Sequence, residues 1–144
     1  MKKLSVLFAA FAVLFLLSCG KYEDGPGISL RSKSSRIAGS WTIDKKFEND
    51  IDVTSQWVGN GIDRTYEFTR DGSYSKTTTY GSGTVSTDSG TWEFVNDDED
   101  LKISYSNSGF TSVNTYKILR LTNSELWYSI TDSTDTYETH LKAL

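Results

Sequence analysis

Few side chains in this sequence could perform acid–base or nucleophilic chemistry. His140 is the only histidine, and the alternation of its segment, with Thr139 and Leu141 facing inward, predicts that it points outward. The many serines form no Gly-x-Ser-x-Gly elbow, and no cysteine or histidine cluster has zinc spacing. We therefore predict no catalytic residue, no enzyme activity, no metal site and no cofactor. A carboxylate pair that meets across strands would leave no trace in the sequence.

Two acidic segments offer oxygen atoms of the kind that calcium accepts. One runs from Asp97 to Asp100, and the other contains Asp132 and Asp135. Neither has the ordered ligand spacing of a calcium-binding loop. We interpret both as solvated hairpin turns.

Polar side chains on the predicted inner face are the candidates for ligand binding. Lys45, Lys76 and Arg120 each share strand parity with apolar or aromatic neighbours, as do Tyr74 and Tyr80. A buried hydroxyl needs a partner, and an unpaired buried charge is costly. This set would suit the wet mouth of a barrel that binds a polar or anionic ligand. The simpler alternative places the same residues at the rims, with their polar ends in solvent.

The segments that carry these residues have the pattern of β-strands. From Gly39 onward there is no proline, and Thr, Tyr, Trp, Val and Ile dominate short runs with period-two alternation. We interpret 49–61 as a loop or one short helix, and 81–89 as a loop. The eight predicted strands are 39–48, 62–70, 73–80, 90–96, 101–106, 112–121, 125–131 and 136–143.

Eight short strands joined by short turns predict an all-β fold, a small antiparallel up-and-down barrel with at most one short helix. Closure of the sheet removes the exposed edges that would otherwise pair with other chains. The interior of an eight-stranded barrel is just wide enough for packed side chains or one small ligand. A flattened sandwich is the main alternative.

Charge is distributed unevenly along the chain. Residues 39–144 carry 9 basic and 17 acidic side chains, a net charge of −8, which argues against a nucleic-acid partner. Residues 19–38 are rich in Gly and Ser and are predicted to form a flexible tether. Its basic part, 31–36, either contacts anionic lipid headgroups or is a solvated linker or short turn that packs on the acidic domain. We favour the second interpretation.

The N-terminus has the layout of a secretory signal. Lys2 and Lys3 precede an apolar run of 14 residues, Leu4 to Leu17, and Ser18 is the small residue at the cleavage point. The run is shorter than the roughly 20 residues that a membrane-spanning helix needs. We therefore predict a signal peptide over 1–18 and a mature chain of one domain, 39–144, behind the tether.

The sequence Leu16-Leu17-Ser18-Cys19 resembles the bacterial lipobox. The resemblance implies that Cys19, the only cysteine, is lipidated on its sulfur and becomes the first residue of the mature chain. Gly20 stands where many bacteria use Asp for inner-membrane retention, which implies the outer membrane. The segment Lys21-Tyr22-Glu23-Asp24 is similar to surface-export signals of Bacteroidetes lipoproteins, which implies exposure at the cell surface. The implied partner is a membrane, bound through the lipid anchor.

A second resemblance comes from two similar segments, Gly39-Ser40-Trp41 and Gly90-Thr91-Trp92. Each places a glycine at a strand start and a tryptophan on the inner face. The first resembles the lipocalin signature. Together with the run from Tyr66 to Tyr74, the two segments are similar to the lipocalin-like lipoproteins of Bacteroidetes. This resemblance implies structural roles for Gly39, Trp41, Gly90 and Trp92, a lipocalin-like fold and an envelope location, but no activity.

These observations lead to two hypotheses of function. The first is a monomeric, non-enzymatic, lipid-anchored protein that binds a small molecule or a surface partner. The second is a structural or adhesion module whose barrel is filled by its own side chains. A solid core would exclude the first, whereas a cavity lined by Tyr74, Tyr80 and Lys76 would weaken the second.

Overall fold

The computed structural model describes residues 31–107 and 109–144, with no side-chain description for Asn107. The predicted signal peptide, the predicted lipidation site at Cys19 and the first part of the tether lie outside the described residues. Within these residues, one short helix, α1 (Lys33–Ile37), precedes the strands, and one 3-10 turn covers Thr54–Gln56. The strands are β1 (Gly39–Glu48), β2 (Ile51–Asp52), β3 (Ile62–Phe68), β4 (Ser73–Tyr80), β5 (Val85–Val95), β6 (Asp100–Asn107), β7 (Phe110–Leu121), β8 (Glu125–Asp132) and β9 (Asp135–Ala143).

The strands form one closed antiparallel meander. From β3 to β9 each strand pairs with its neighbours in sequence, β1 pairs with β3, and β1 also pairs with β9 to complete the circle. The two-residue strand β2 only flanks β1, so the closed barrel has eight strands. This confirms the predicted fold class and excludes the flattened sandwich. Among the described residues, no helix has the length and apolar character needed to cross a bilayer.

One segment differs from its predicted form. The segment 81–89 is predicted to be a loop, but β5 begins at Val85, which pairs with Thr79 of β4. The run of Ser, Thr and Asp hides the alternation, because these residues are small and polar on both faces. The segment 49–61 has the first of its two predicted forms, a loop, which contains β2 and the 3-10 turn.

One end of the barrel is packed with apolar side chains, and we call it the closed end. The first residues of β1 and the turns 69–72, 96–99 and 122–124 lie there. Trp41 is 1% exposed, and its indole N–H donates to the Ile37 carbonyl (2.8 Å). The indole N–H of Trp92 donates to the Thr69 carbonyl (2.9 Å). The other fully buried side chains of this core are Phe68, Ile37, Leu101, Ile118, Leu121, Leu126 and Leu141.

Helix α1 belongs to the closed end. Ser32 caps it by accepting a hydrogen bond from the Ser35 amide, Ile37 is fully buried, and Arg36 donates to the Leu121 carbonyl (2.8 Å). Lys33 forms an ion pair with Asp98 (3.3 Å). The flexible tether predicted over 19–38 is therefore wrong for its last residues, which pack on the barrel as the favoured interpretation of 31–36 allowed.

Gly90 allows two strands to approach each other closely. A Cβ atom at this position would lie 1.9 Å from the Ser104 carbonyl oxygen and 2.6 Å from the Cα atom of Tyr105. Any other residue would force β5 and β6 apart. The requirement is one of space, because the backbone of Gly90 does not have a positive φ.

Two β-bulges change which side chains face inward. The β1–β9 register shifts between Ile43 and Lys45, and the β7–β8 register shifts between Ile118 and Arg120. An extra residue in one strand reverses the inside–outside alternation beyond it. Each bulge therefore determines which of two consecutive residues enters the barrel.

Candidate functional site

The end of the barrel opposite the closed end contains a cavity, and we call this end the mouth. The loop 49–61 and the turns 81–84 and 133–134 lie there. The cavity has a volume of about 380 Å³, within the usual range for small-molecule sites. Among the described residues, six tyrosines, two lysines and no carboxylate line it. The lining residues are Lys46, Trp57, Tyr66, Tyr74, Lys76, Ile103, Tyr105, Tyr116, Tyr128, Ile130, Tyr137 and Thr139.

The bulge in β1 brings Lys46 into this cavity. Lys46 pairs with the inward-facing Thr139, whereas Lys45 pairs with His140 on the outer face. The Lys46 amide donates to the Thr54 hydroxyl (3.0 Å), and the Val53 amide donates to the Lys46 carbonyl (2.9 Å). The 3-10 turn thus fixes the backbone of Lys46 at the mouth.

Trp57 lines the mouth and lies close to two cations. The Lys46 ammonium is 4.0 Å from the centre of its ring, and the Arg64 guanidinium is 5.0 Å from it. Arg64 also donates to the Trp57 carbonyl (2.9 Å). The pairing of β1 with β3 ends at Thr42 and Thr65, which leaves a gap between the two strands towards the mouth. The contacts of Trp57 hold the loop 49–61 across this gap.

Burial and like charges act together on Lys46. Desolvation, followed by the positive charges of Arg64 and Lys76, lowers the pKa of its ammonium group from 10.5 to about 8. At neutral pH the group is still mainly protonated. The lowered pKa means that the folded protein disfavours the charged form of this group.

A second lysine of the cavity is paired. Lys76 lies 2.6 Å from a carboxylate oxygen of Asp88, which is 4% exposed. The Lys76 ammonium is also 5.3 Å from the ring centre of Tyr105. Asp88 on β5 therefore balances Lys76 on β4 inside the barrel wall.

Four buried tyrosines of the cavity keep their hydroxyl protons over the whole physiological pH range. Burial raises the pKa of Tyr66 and of Tyr116 to about 12, and it raises the pKa values of Tyr74 and Tyr128 further. The rings of Tyr116 and Tyr128 meet edge to face, 4.9 Å apart. The wall thus offers flat aromatic surfaces and O–H donors that keep their protons.

The structure brings together only part of the predicted binding set. Tyr74 and Lys76 line the cavity, as their strand alternation predicts. Tyr80 is 41% exposed at the end of β4 and does not line the cavity. The inward orientation predicted for Lys45 and Arg120 is wrong, because each lies just beyond a bulge.

Arg120 belongs instead to a cluster on the outer wall. It forms an ion pair with Glu125 (2.8 Å), and its guanidinium lies 5.0 Å from the ring centre of Trp127. Trp127 stacks on the ring of His140 (4.0 Å between centres), and Nε2 of His140 contacts Glu138. His140 faces outward as predicted, but Trp127 and its other neighbours leave it only 8% exposed.

The prediction missed Lys46, Trp57 and most of the tyrosines as members of one site. Strand alternation is consistent with inward-facing Tyr105, Tyr116 and Tyr128, but a sequence does not show which end of a strand reaches the mouth. Lys46 stands beside Lys45, and only the bulge decides between them. The only sign of this bulge in the sequence is that the alternation stops: positions 41 and 43 are apolar, and the next three positions, 44–46, are all charged.

Solved structures of two bacterial proteins resemble this barrel. A lipocalin-like protein from Bacteroides uniformis ATCC 8492 matches with a TM-score of 0.52 and 15% identity, over 76% of this chain and 99% of that one. The fold is lipocalin-like. An uncharacterised protein from Bacteroides eggerthii DSM 20697 matches this lipocalin-like barrel with a TM-score of 0.51 and 18% identity, over 74% of this chain and 98% of that one. No family model and no curated protein matches the sequence.

Proposed function

We propose that this chain is a lipid-anchored protein of the bacterial cell envelope whose lipocalin-like barrel binds a small molecule without converting it. The observation that carries the proposal is the cavity of about 380 Å³ at the mouth of a barrel whose other end is packed. A wall of six tyrosines and two lysines is too polar to be merely a defect in the core. The described residues that line it include no carboxylate pair that could act as acid and base.

The lipobox and the position of helix α1 support the anchored part of the proposal. The chain enters the barrel at the closed end, where Arg36 and Ile37 are held. The described chain therefore begins at the end opposite the mouth. In the proposed arrangement the anchor approaches the barrel from that end, and the mouth faces away from the bilayer, where a water-borne ligand can reach it.

Native mass spectrometry of the protein extracted from the membranes of its own bacterium tests both parts. We expect a chain that begins at Cys19, carries covalent acyl groups and retains a small molecule that dissociates on activation. Cys19→Ala should lose the acyl mass. A wild-type chain without acyl groups would refute the anchor.

A matched pair of variants on β8 assigns the small molecule to the cavity. Ile130 lines the cavity, whereas the neighbouring Ser129 faces outward. Ile130→Trp should fill the mouth and release the small molecule, and Ser129→Trp should retain it. Retention by Ile130→Trp would place the molecule elsewhere, and its absence from the wild-type protein would favour the structural or adhesion module.

A further inference from the structure

The ammonium group of Lys46 carries a positive charge that no described acidic side chain neutralises. Its nearest charged neighbours are cations, and its one close partner is the face of Trp57. A ring face attracts a cation but does not accept its protons in hydrogen bonds. Within 31–107 and 109–144, Lys46 forms no ion pair, although it is partly buried.

Three cations lie close together at the mouth of this acidic domain. The charges of Arg64 and Lys76 act on Lys46, and Lys76 forms an ion pair with Asp88. Glu48, Asp132 and Asp135 lie at the same end, where their charges act on Tyr137. Glu48, further along β1, is exposed and forms no described ion pair with Lys46. Unpaired charges that are partly removed from water are unfavourable until a counter-charge joins them. A bound anion would supply that counter-charge.

The remaining side chains of the cavity indicate the shape and chemistry of the uncharged part of the ligand. Tyr74, Tyr105, Tyr116 and Tyr128 present flat rings, and Ile103 adds an aliphatic surface below them. Aromatic walls make favourable contacts with other rings in offset or edge-to-face geometries. A ligand with a flat ring system should therefore make more favourable contacts with these tyrosines than a ligand with a flexible alkyl chain.

We propose that the cavity selects aromatic monoanions, with the anionic group at Lys46 beneath Trp57 and the ring system among the tyrosines. This inference rests on the proposed function and names the class of ligand for the same site. Arg64 contributes a second positive charge, 5.0 Å from the ring centre of Trp57. Charge-assisted hydrogen bonds to a lysine are stronger than neutral ones, so removal of Lys46 should act mainly on charged ligands.

Two dyes with the same ring system but different charge provide the test. Anilinonaphthalene sulfonate is an anion, and phenylnaphthylamine lacks the sulfonate. Both are titrated by fluorescence against the unlipidated chain 19–144, which retains every described contact. We expect both to bind, the anion more tightly, and we expect Lys46→Met to weaken the anion by about tenfold to a hundredfold while leaving the neutral dye nearly unchanged.

Lys45→Met is the matched control, because Lys45 is the adjacent lysine on the outer face. It should leave both titrations unchanged, and circular dichroism should show the same fold for all three proteins. If both dyes bind equally to the wild-type protein, or if Lys45→Met weakens the anion as much as Lys46→Met does, the inference is wrong and the proposed cavity function stands. If neither dye binds, the inference is wrong as well, and native mass spectrometry with Ile130→Trp still decides the proposed function separately.

Competition distinguishes a flat anion from a flexible one. Naphthoate and decanoate carry the same carboxylate on a ring system and on an alkyl chain. Naphthoate should displace the bound sulfonate dye at lower concentration than decanoate does. The opposite order would show that the site takes fatty anions and would overturn the aromatic part of the proposal.

Discussion

The two ends of the barrel are built from the same strands but follow opposite rules. At the closed end, large apolar side chains are fully buried, and polar atoms such as the Trp41 indole N–H donate to backbone carbonyls. At the mouth, charged and hydroxyl groups face a cavity. Strand β1 contains both kinds of residue, with Trp41 at one end and Lys46 at the other. The residues that stabilise the fold and those that line the cavity therefore lie at opposite ends of the same strands, not on different strands.

The largest expected effect comes from removing one aromatic ring from each end and comparing the changes in the free energy of unfolding. Phe68 is 1% exposed and contacts the rings of Tyr74 and Trp92. Phe68→Ala should lower the free energy of unfolding by about 3–5 kcal/mol, because it leaves a void in a packed core. Urea denaturation of the chain 19–144 gives the measurement.

Tyr137→Ala is the matched change at the mouth. Tyr137 lines the cavity but is 37% exposed, so its removal should lower the free energy of unfolding by no more than about 1 kcal/mol. Equal losses for the two variants would contradict the division between a stabilising end and a binding end.

A smaller effect tests whether helix α1 is part of the closed end. Ile37 is fully buried beside Trp41, so Ile37→Ala should lower the free energy of unfolding by about 2–4 kcal/mol. Ser34→Ala, on the exposed side of the same helix, should have almost no effect. If Ile37→Ala also had almost no effect, the segment 33–37 would behave as a tether in solution.

The strands of the closed end could be predicted from the sequence, whereas the mouth could be predicted only in part. Alternation of apolar and polar residues places Trp41, Phe68 and Trp92 inward, because a one-residue shift in any of their strands would turn the apolar face of that strand to water. The two bulges lie where the alternation becomes ambiguous, at a run of charged residues in β1 and at Leu119-Leu121 in β7. There, local pattern does not determine which residue is the extra one.

Tertiary contacts decided the remaining details. Arg36 and Ile37 looked like part of a polar linker because one isoleucine among serines and basic residues has no period. Only the Leu121 carbonyl and the Trp41 indole show why the helix forms there. Likewise, Trp57 joins the site through Lys46 and Arg64, which lie on two different strands.

The smallest predicted effect is the loss of stability caused by the partly buried charge of Lys46. Lys46→Met should raise the free energy of unfolding at pH 7 by about 1 kcal/mol, because it removes an unpaired cation from a partly buried position. Lys45→Met should change it little. Both are measured by urea denaturation across a pH series.

The pH dependence of that difference has a definite sign. The pKa of Lys46 is about 8 in the folded protein and 10.5 as the ordinary value for an unfolded chain. Between these values the unfolded state binds more protons than the folded state, so the stability of the wild-type protein rises with pH relative to Lys46→Met. The advantage of the variant should therefore shrink between pH 8 and pH 10. A variant less stable than the wild-type protein at pH 7 would mean that the contact of Lys46 with Trp57 outweighs its desolvation, and the mouth would then resemble the closed end.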